Sequence, residues 1–155
     1  MTEKPNTSNL EVKKVYIKDV SFESPGAPLI FTQMRTQPTI DMQVELDNSR
    51  LDENEHFYEI VLKITITAKI EEDITFLTEV EQAGVFLLQH DDPDKMVIMK
   101  EVACPHILLP FAREEINTLV TKGGFQSLLI SPINFEALYM HKHAQKADEE
   151  ETTRH

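Results

Sequence analysis

Apolar and polar positions alternate through the first half of the chain and shift to helical spacing in the second. Between 58 and 70, Tyr58, Ile60, Leu62, Ile64, Ile66, Ala68 and Ile70 share one parity, while Glu59, Lys63, Thr65, Thr67 and Lys69 share the other. A period of two gives a strand with one dry face and one wet face. Residues 40–47 repeat the pattern, with Ile40, Met42, Val44 and Leu46 set against Asp41, Gln43, Glu45 and Asp47. Residues 76–88 form another such strand. Residues 10–23 are mixed: Val12, Tyr16 and Val20 fall on one parity and Val15 and Ile17 on the other, which a β-bulge near Lys13-Lys14 reconciles. Strands with one dry face belong to an antiparallel sheet covered on one side. A polar loop from Asp47 to Asn54 joins the second strand to the third, and the turn Glu71-Glu72-Asp73 joins the third to the fourth as a hairpin.

Helices follow. Asp91-Asp92-Pro93-Asp94 reads as a helix start, opening a short helix over 94–103. The main helix is expected over 107–122, where Leu108, Phe111, Ala112, Ile116, Leu119 and Val120 recur at helical spacing. Pro110 then belongs in its first turn, where the missing N–H has no acceptor to serve. Gly123-Gly124 ends the helix, and Asn134 caps a last one that carries Phe135, Leu138 and Tyr139 on one face. Strands followed by helices predict an α+β fold: a four-stranded antiparallel sheet with helices packed on one face. Residues 1–9 and the acidic tail 147–155 are polar and expected to be disordered, which leaves 10–146 as one domain. The connection 124–133 is unusually apolar, and Phe22, Phe31, Met34, Phe125 and Met140 fall near element ends. Apolar surface that no local element covers points to an oligomer interface or a binding groove. Methionine and phenylalanine suit a groove that accepts varied partners.

Charge narrows the choice of partner. Twenty-seven acidic residues against 15 basic ones give a formal charge of −12 over 155 residues. Such a surface argues against nucleic acid, whose phosphates need Lys/Arg clusters, and favours basic protein partners. The sole cysteine, Cys104, permits no intrachain disulfide and suits a reducing compartment. Residues 1–9 carry no apolar core of a signal peptide, and no apolar run reaches ~18 residues, so a cytoplasmic protein without membrane insertion is expected.

Candidate chemistry is sparse. Cys104 and His106 stand two apart, do not face each other on a helix, and have no third partner for nucleophilic catalysis. His141 and His143 point away from each other, and His90 with Asp91 and Asp92 lacks further ligands. The run Asp91–Asp94 has neither the glycine nor the terminal glutamate of a calcium loop. Gly123-Gly124 follows Lys122 rather than preceding a lysine, so no phosphate-cradling loop is visible. No enzyme, cofactor or metal site is therefore expected. A small ligand-binding or catalytic domain would need convergent polar residues, and the sequence offers none. On composition alone, Asp19, Glu23, Glu79 and Glu81 read as a solvated sheet face.

Several segments, however, resemble the SecB family of bacterial protein-export chaperones. They are Tyr16-Ile17-Lys18-Asp19-Val20-Ser21-Phe22-Glu23-Ser24-Pro25-Gly26-Ala27-Pro28, Tyr58-Glu59-Ile60-Val61-Leu62, Phe76-Leu77-Thr78-Glu79-Val80, Pro105 to Glu114, and Pro132-Ile133-Asn134-Phe135-Glu136-Ala137-Leu138-Tyr139. Together they cover roughly 12–142 in order. The chain departs from the family's pattern at Thr36, where many members carry tryptophan, at Gln126, where members often carry proline, and in a slightly longer loop around Asn54-Glu55-His56. The resemblance implies an ATP-independent holdase that keeps unfolded precursors translocation-competent and delivers them to the SecA motor, assembled as a homotetramer, a dimer of dimers. It implies that the C-terminal tail of SecA, which carries its own zinc, docks on the exposed sheet face at Asp19, Glu23, Leu77 and Glu79. It also implies client grooves between sheet and apolar loop, assigned here to Met42, Val44, Phe76, Leu128 and Phe135. A SecB-like chaperone serving a toxin–antitoxin system is the alternative.

Overall fold

The computed structural model describes residues 8–33, 36–53 and 56–153. Met34, Asn54, Glu55 and parts of both expected tails lie outside them. Four antiparallel strands, β1 (Ser8–Glu23), β2 (Thr39–Arg50), β3 (Phe57–Ile70) and β4 (Asp73–His90), form one sheet in the order β1-β4-β3-β2. The β3–β4 hairpin is its centre. Its turn is Glu71-Glu72, with Glu71 in the left-handed region at φ 56° and Asp73 already paired with Ile70. β2 runs on to Arg50, so Asp47–Arg50, expected in a loop, are strand residues paired with β3.

β1 carries two bulges where one was expected. The ladder with β4 skips Lys13 and again Lys18. Each skip reverses parity, so Val12, Val15, Ile17, Val20 and Phe22 pair with helix-side positions of β4, and Tyr16 turns to the opposite face with Asp19 and Glu23. The mixed pattern of residues 10–23 is thus an ordinary two-faced strand with two residues added.

All but one of the described helices follow β4. A single turn, α1 (Ile30–Gln33), lies between β1 and β2; α2 (Pro93–Ile98), a π turn (Met99–Ala103) and α3 (Cys104–Lys122) form one unbroken helical run; α4 (Phe135–Thr153) comes last. Asp92 caps α2, its Oδ1 accepting the Asp94 N–H at 2.9 Å. The two helices expected over 94–103 and 107–122 are therefore continuous. Pro105, not Pro110, occupies the first turn of α3. The Cys104 N–H donates to the carbonyl of Met99, five residues back, and Pro105 has no N–H with which to return the ladder to its regular spacing. Pro110 sits inside α3 on its exposed side, where water can serve the carbonyl that proline leaves unpaired. α4 starts where the sequence predicts, with Asn134 Oδ1 accepting the Ala137 N–H at 3.0 Å. It then continues past residue 146 as an exposed helix to Thr153.

The core lies between the sheet and α3. Ile60, Leu62, Ile64, Ile66 and Ala68 of β3 are fully buried against Leu108, Ala112, Ile116 and Val120, a ridge spaced four apart along α3. Gly84 of β4 makes room for this approach: a Cβ there would stand 2.6 Å from the Phe86 ring and 3.1 Å from Leu108 Cδ2. Among the described residues no helix is long and apolar enough to cross a membrane.

Candidate binding surfaces

The helix side of the sheet extends beyond what α3 covers, and the edge strands β1 and β2 are left partly bare. The loop after α3 passes over β2. There Ile40, Met42 and Ile66 face Leu128, Leu129, Ile130 and Ser131 of the connection after α3, across a groove of about 320 Å³. The loop is pinned at two points on its way to the groove wall. Phe125 plugs into a cluster of rings, and the Leu128 N–H donates to Asn117 Oδ1 at 3.1 Å. Just past these anchors Leu129 is 94% exposed. α3 can release the loop sharply because Gly124 adopts φ +90°, a conformation that side chains resist.

Of the residues assigned to a client groove, Met42 and Leu128 meet in this one, and Val44 lies two positions along β2 on the same face, half-buried against the core. Phe76 and Phe135 present almost no surface, at 2% exposed each. Phe76 stacks on Phe22 with centroids 5.8 Å apart and tilts against Phe125 at 4.8 Å. Phe135 instead walls a second, larger hollow of about 530 Å³ between the starts of α3 and α4, beside His106 and Ile107. Ile40, Ile66, Leu129, Ile130 and Ser131 are the groove residues the sequence reading missed. The even parity of β2 and the apolar loop both contain the signal, but which loop residue faces the sheet depends on the path after Gly124.

The opposite face is open and rich in acids. Asp19 pairs across the ladder with Glu81, Ser21 with Glu79, and Glu23 with Leu77, so the four residues assigned to docking share this face on two neighbouring strands. Two lysines reach into the same plane. Lys63 Nζ stands 2.7 Å from Glu79 Oε1 and 3.7 Å from Glu45 Oε2. Its ammonium is held above the usual lysine range, first by the Glu79 hydrogen bond. Lys18, the second bulge residue, donates to Glu59 Oε1 at 2.7 Å, and the Tyr16 hydroxyl donates to Glu59 Oε2. These donors, Lys18 first, hold the Glu59 carboxyl below its ordinary range. Burial first, then Glu59, pushes the Tyr16 phenol up to about 12. Glu59→Gln removes the anion but not the burial, so the Tyr16 titration, followed by tyrosinate absorbance, is expected to move down toward the ordinary 10.0 without reaching it.

Cys104 is fully buried, and burial raises its thiol to about 12, which keeps it neutral, while His106 is exposed. His143 Nε2 lies 3.5 Å from Glu101 Oε2, and Lys142 Nζ 3.3 Å from Glu101 Oε1, contacts that tie α4 to the π turn.

The chain is an α+β protein with an apolar groove on one side of its sheet and an acid-rich plane on the other. The fold matches that of a SecB-like chaperone from Mycobacterium tuberculosis, solved with an antitoxin peptide, at a TM-score of 0.65 over 81% of this chain and 88% of that one, with 11% identity. The family model for preprotein translocase subunit SecB matches residues 3–146. The protein-export protein SecB of Chromobacterium violaceum is 44% identical, with 88% of this chain and 89% of that protein covered. That of Nitrosococcus oceani is 42% identical over 94% of this chain and 88% of its own length. The chain belongs to the SecB family.

Proposed function

We propose that this protein is an ATP-independent export chaperone of the bacterial cytoplasm, which holds unfolded precursors and passes them to SecA. The carrying observation is the groove walled by β2 and the loop after α3, in a chain whose family is that of protein-export SecB. A holdase binds the unfolded state and opposes folding by mass action, which needs apolar area rather than a shaped pocket. Leu129 supplies such area at almost no cost to the fold, because it is already in water. In this reading no covalent chemistry is performed, and neither nucleotide nor metal is needed by the chain itself.

The assembly proposed is a homotetramer, a dimer of dimers. Support comes from exposed apolar residues on the helix side, Ile98, Phe111, Leu138 and Met140, and on the edge strand, Val12, Ile17 and Val20. A two-fold axis would let like patches cover each other. The SecA tail is assigned to the open face at Asp19, Glu23, Leu77 and Glu79, where a basic segment meets acids. The toxin–antitoxin alternative rests on one fold neighbour at 11% identity, whereas the relatives above 40% are export proteins.

The direct test is delay of refolding of an unfolded precursor with and without ATP, beside calorimetry with a SecA tail peptide. Delay without nucleotide supports the holdase reading, and an ATP requirement refutes it. Leu129→Ser is expected to weaken client holding about tenfold, since burying one leucine is worth about 1.5–3 kcal/mol. The same change should leave thermal stability within about 0.5 kcal/mol, because the side chain has no packing to lose.

A further inference from the structure

We infer that Lys63 is a built-in competitor for the basic partner of the acidic sheet face, an internal cation that docking must displace from Glu79. The inference rests on the docking assignment just made and deepens it. Lys63 lies on the open face of β3, directly across from Glu81 on β4 and Glu45 on β2. With Asp19 beyond Glu81, the row across all four strands reads Asp19, Glu81, Lys63, Glu45: one cation among three acids. Its Nζ does not stay in the row but leans to Glu79, 2.7 Å away. The docking carboxylate therefore already has an ammonium on it in the free protein. Both side chains are about one-third exposed, at 33% and 34%, so an incoming lysine or arginine can reach the pair.

The geometry also supplies the displaced ammonium with a second seat. Glu45 Oε2 is 3.7 Å from the same Nζ, and Glu45 is 69% exposed and close enough to receive it with a small rotation of the lysine stem. Docking is then an exchange: the partner's cation takes Glu79 while Lys63 shifts to Glu45. An exchange of this kind penalises a partner that brings a single positive charge and favours one that also uses Asp19, Glu23 and the apolar Leu77. Lys63 thus sets the selectivity of the face at the expense of its affinity.

The experiment is calorimetry of a zinc-loaded SecA tail peptide against wild type, Lys63→Met, Lys63→Arg, Glu79→Gln and the Lys63→Met/Glu79→Gln pair. Lys122→Met, at the far end of α3, removes the same charge away from the face. Far-UV spectra and melting curves confirm that each variant is folded. Freeing an exposed ion pair is worth about two- to fivefold in binding. Lys63→Met is expected to bind that much tighter, and Lys63→Arg and Lys122→Met as wild type does. Glu79→Gln should bind more weakly, and in that background Lys63→Met should gain little. If Lys63→Met binds as wild type or more weakly while Glu79→Gln still weakens binding, the competitor role is refuted and docking on this face stands. If Glu79→Gln binds as wild type, or wild type does not bind, the docking assignment falls and takes the competitor with it.

Discussion

Phe76→Ala is expected to destabilise the protein by about 3–5 kcal/mol, the range for removing a buried aromatic from a packed core. Domains of this kind have about 5–15 kcal/mol in total, so the variant should sit near the edge of folding at physiological temperature. The ring is 2% exposed and pairs across the ladder with Ala68. It stacks on Phe22 at 5.8 Å and supports Phe125 at 4.8 Å, and Phe125 in turn meets Phe31 at 5.3 Å. The cluster is closely packed around it: Gly123 has its backbone against the Phe22 ring, with a Cβ position only 2.3 Å from it. Urea unfolding should therefore show a lower midpoint with little change in slope. Client holding should fail with the fold, because Phe125 anchors the loop that carries Leu129. Full stability with weakened client binding would instead place Phe76 in the groove surface.

Glu79→Lys should separate docking from holding. The side chain lies on the open face, one-third exposed, and makes an ion pair with Lys63. Reversal sets two ammonium groups side by side, but both can swing into water, so stability should change by no more than about 1 kcal/mol. A basic tail would then meet like charge where it now meets a carboxylate. Such juxtapositions cost several kcal/mol, and we expect tail affinity to fall more than tenfold. Raising salt should weaken wild-type docking in the same direction, because exposed charges are screened over about 8–10 Å. Refolding delay should be unchanged, since the proposed client groove is on the other side of the sheet. Normal tail binding by Glu79→Lys would refute the docking assignment, and loss of both activities would mark Glu79 as structural.

The sheet was legible because period two is local: β2, β3 and β4 follow from alternation alone, and their faces with it. Leu77 and Glu79 of β4 fall on the open face by the same parity. β1 was harder. A single bulge explains Val12 against Val15, but the second, at Lys18, shows only once β4 lies alongside, and with it the turn of Tyr16 toward Glu59. Pro110 misled for a related reason. A proline is cheap at a helix start and costs less inside a helix where water can serve the carbonyl it leaves unpaired, and the sequence does not say which applies until the π turn before Pro105 extends the helix backwards. Phe76 and Phe135 look like groove residues because aromatics line grooves; burial, which depends on where the loop after α3 returns, makes them core.

The two skipped lysines of β1 also decide where the strand tolerates a change of length. Removing Lys13 or Lys18 would close a bulge and leave every other residue on its present face, at the cost, for Lys18, of the contact with Glu59. Removing any residue from Val20 to Phe22 would do the opposite. Those preceding it in the strand, back to the bulge, would change sides against β4, carrying acids under the helix layer or apolar side chains into water. In the few residues from Asp19 to Glu23 the alternation serves two masters, the acids proposed for docking on one side and the ring of Phe22 under the groove loop on the other. Substitution can tune either side separately; insertion or deletion there damages both at once.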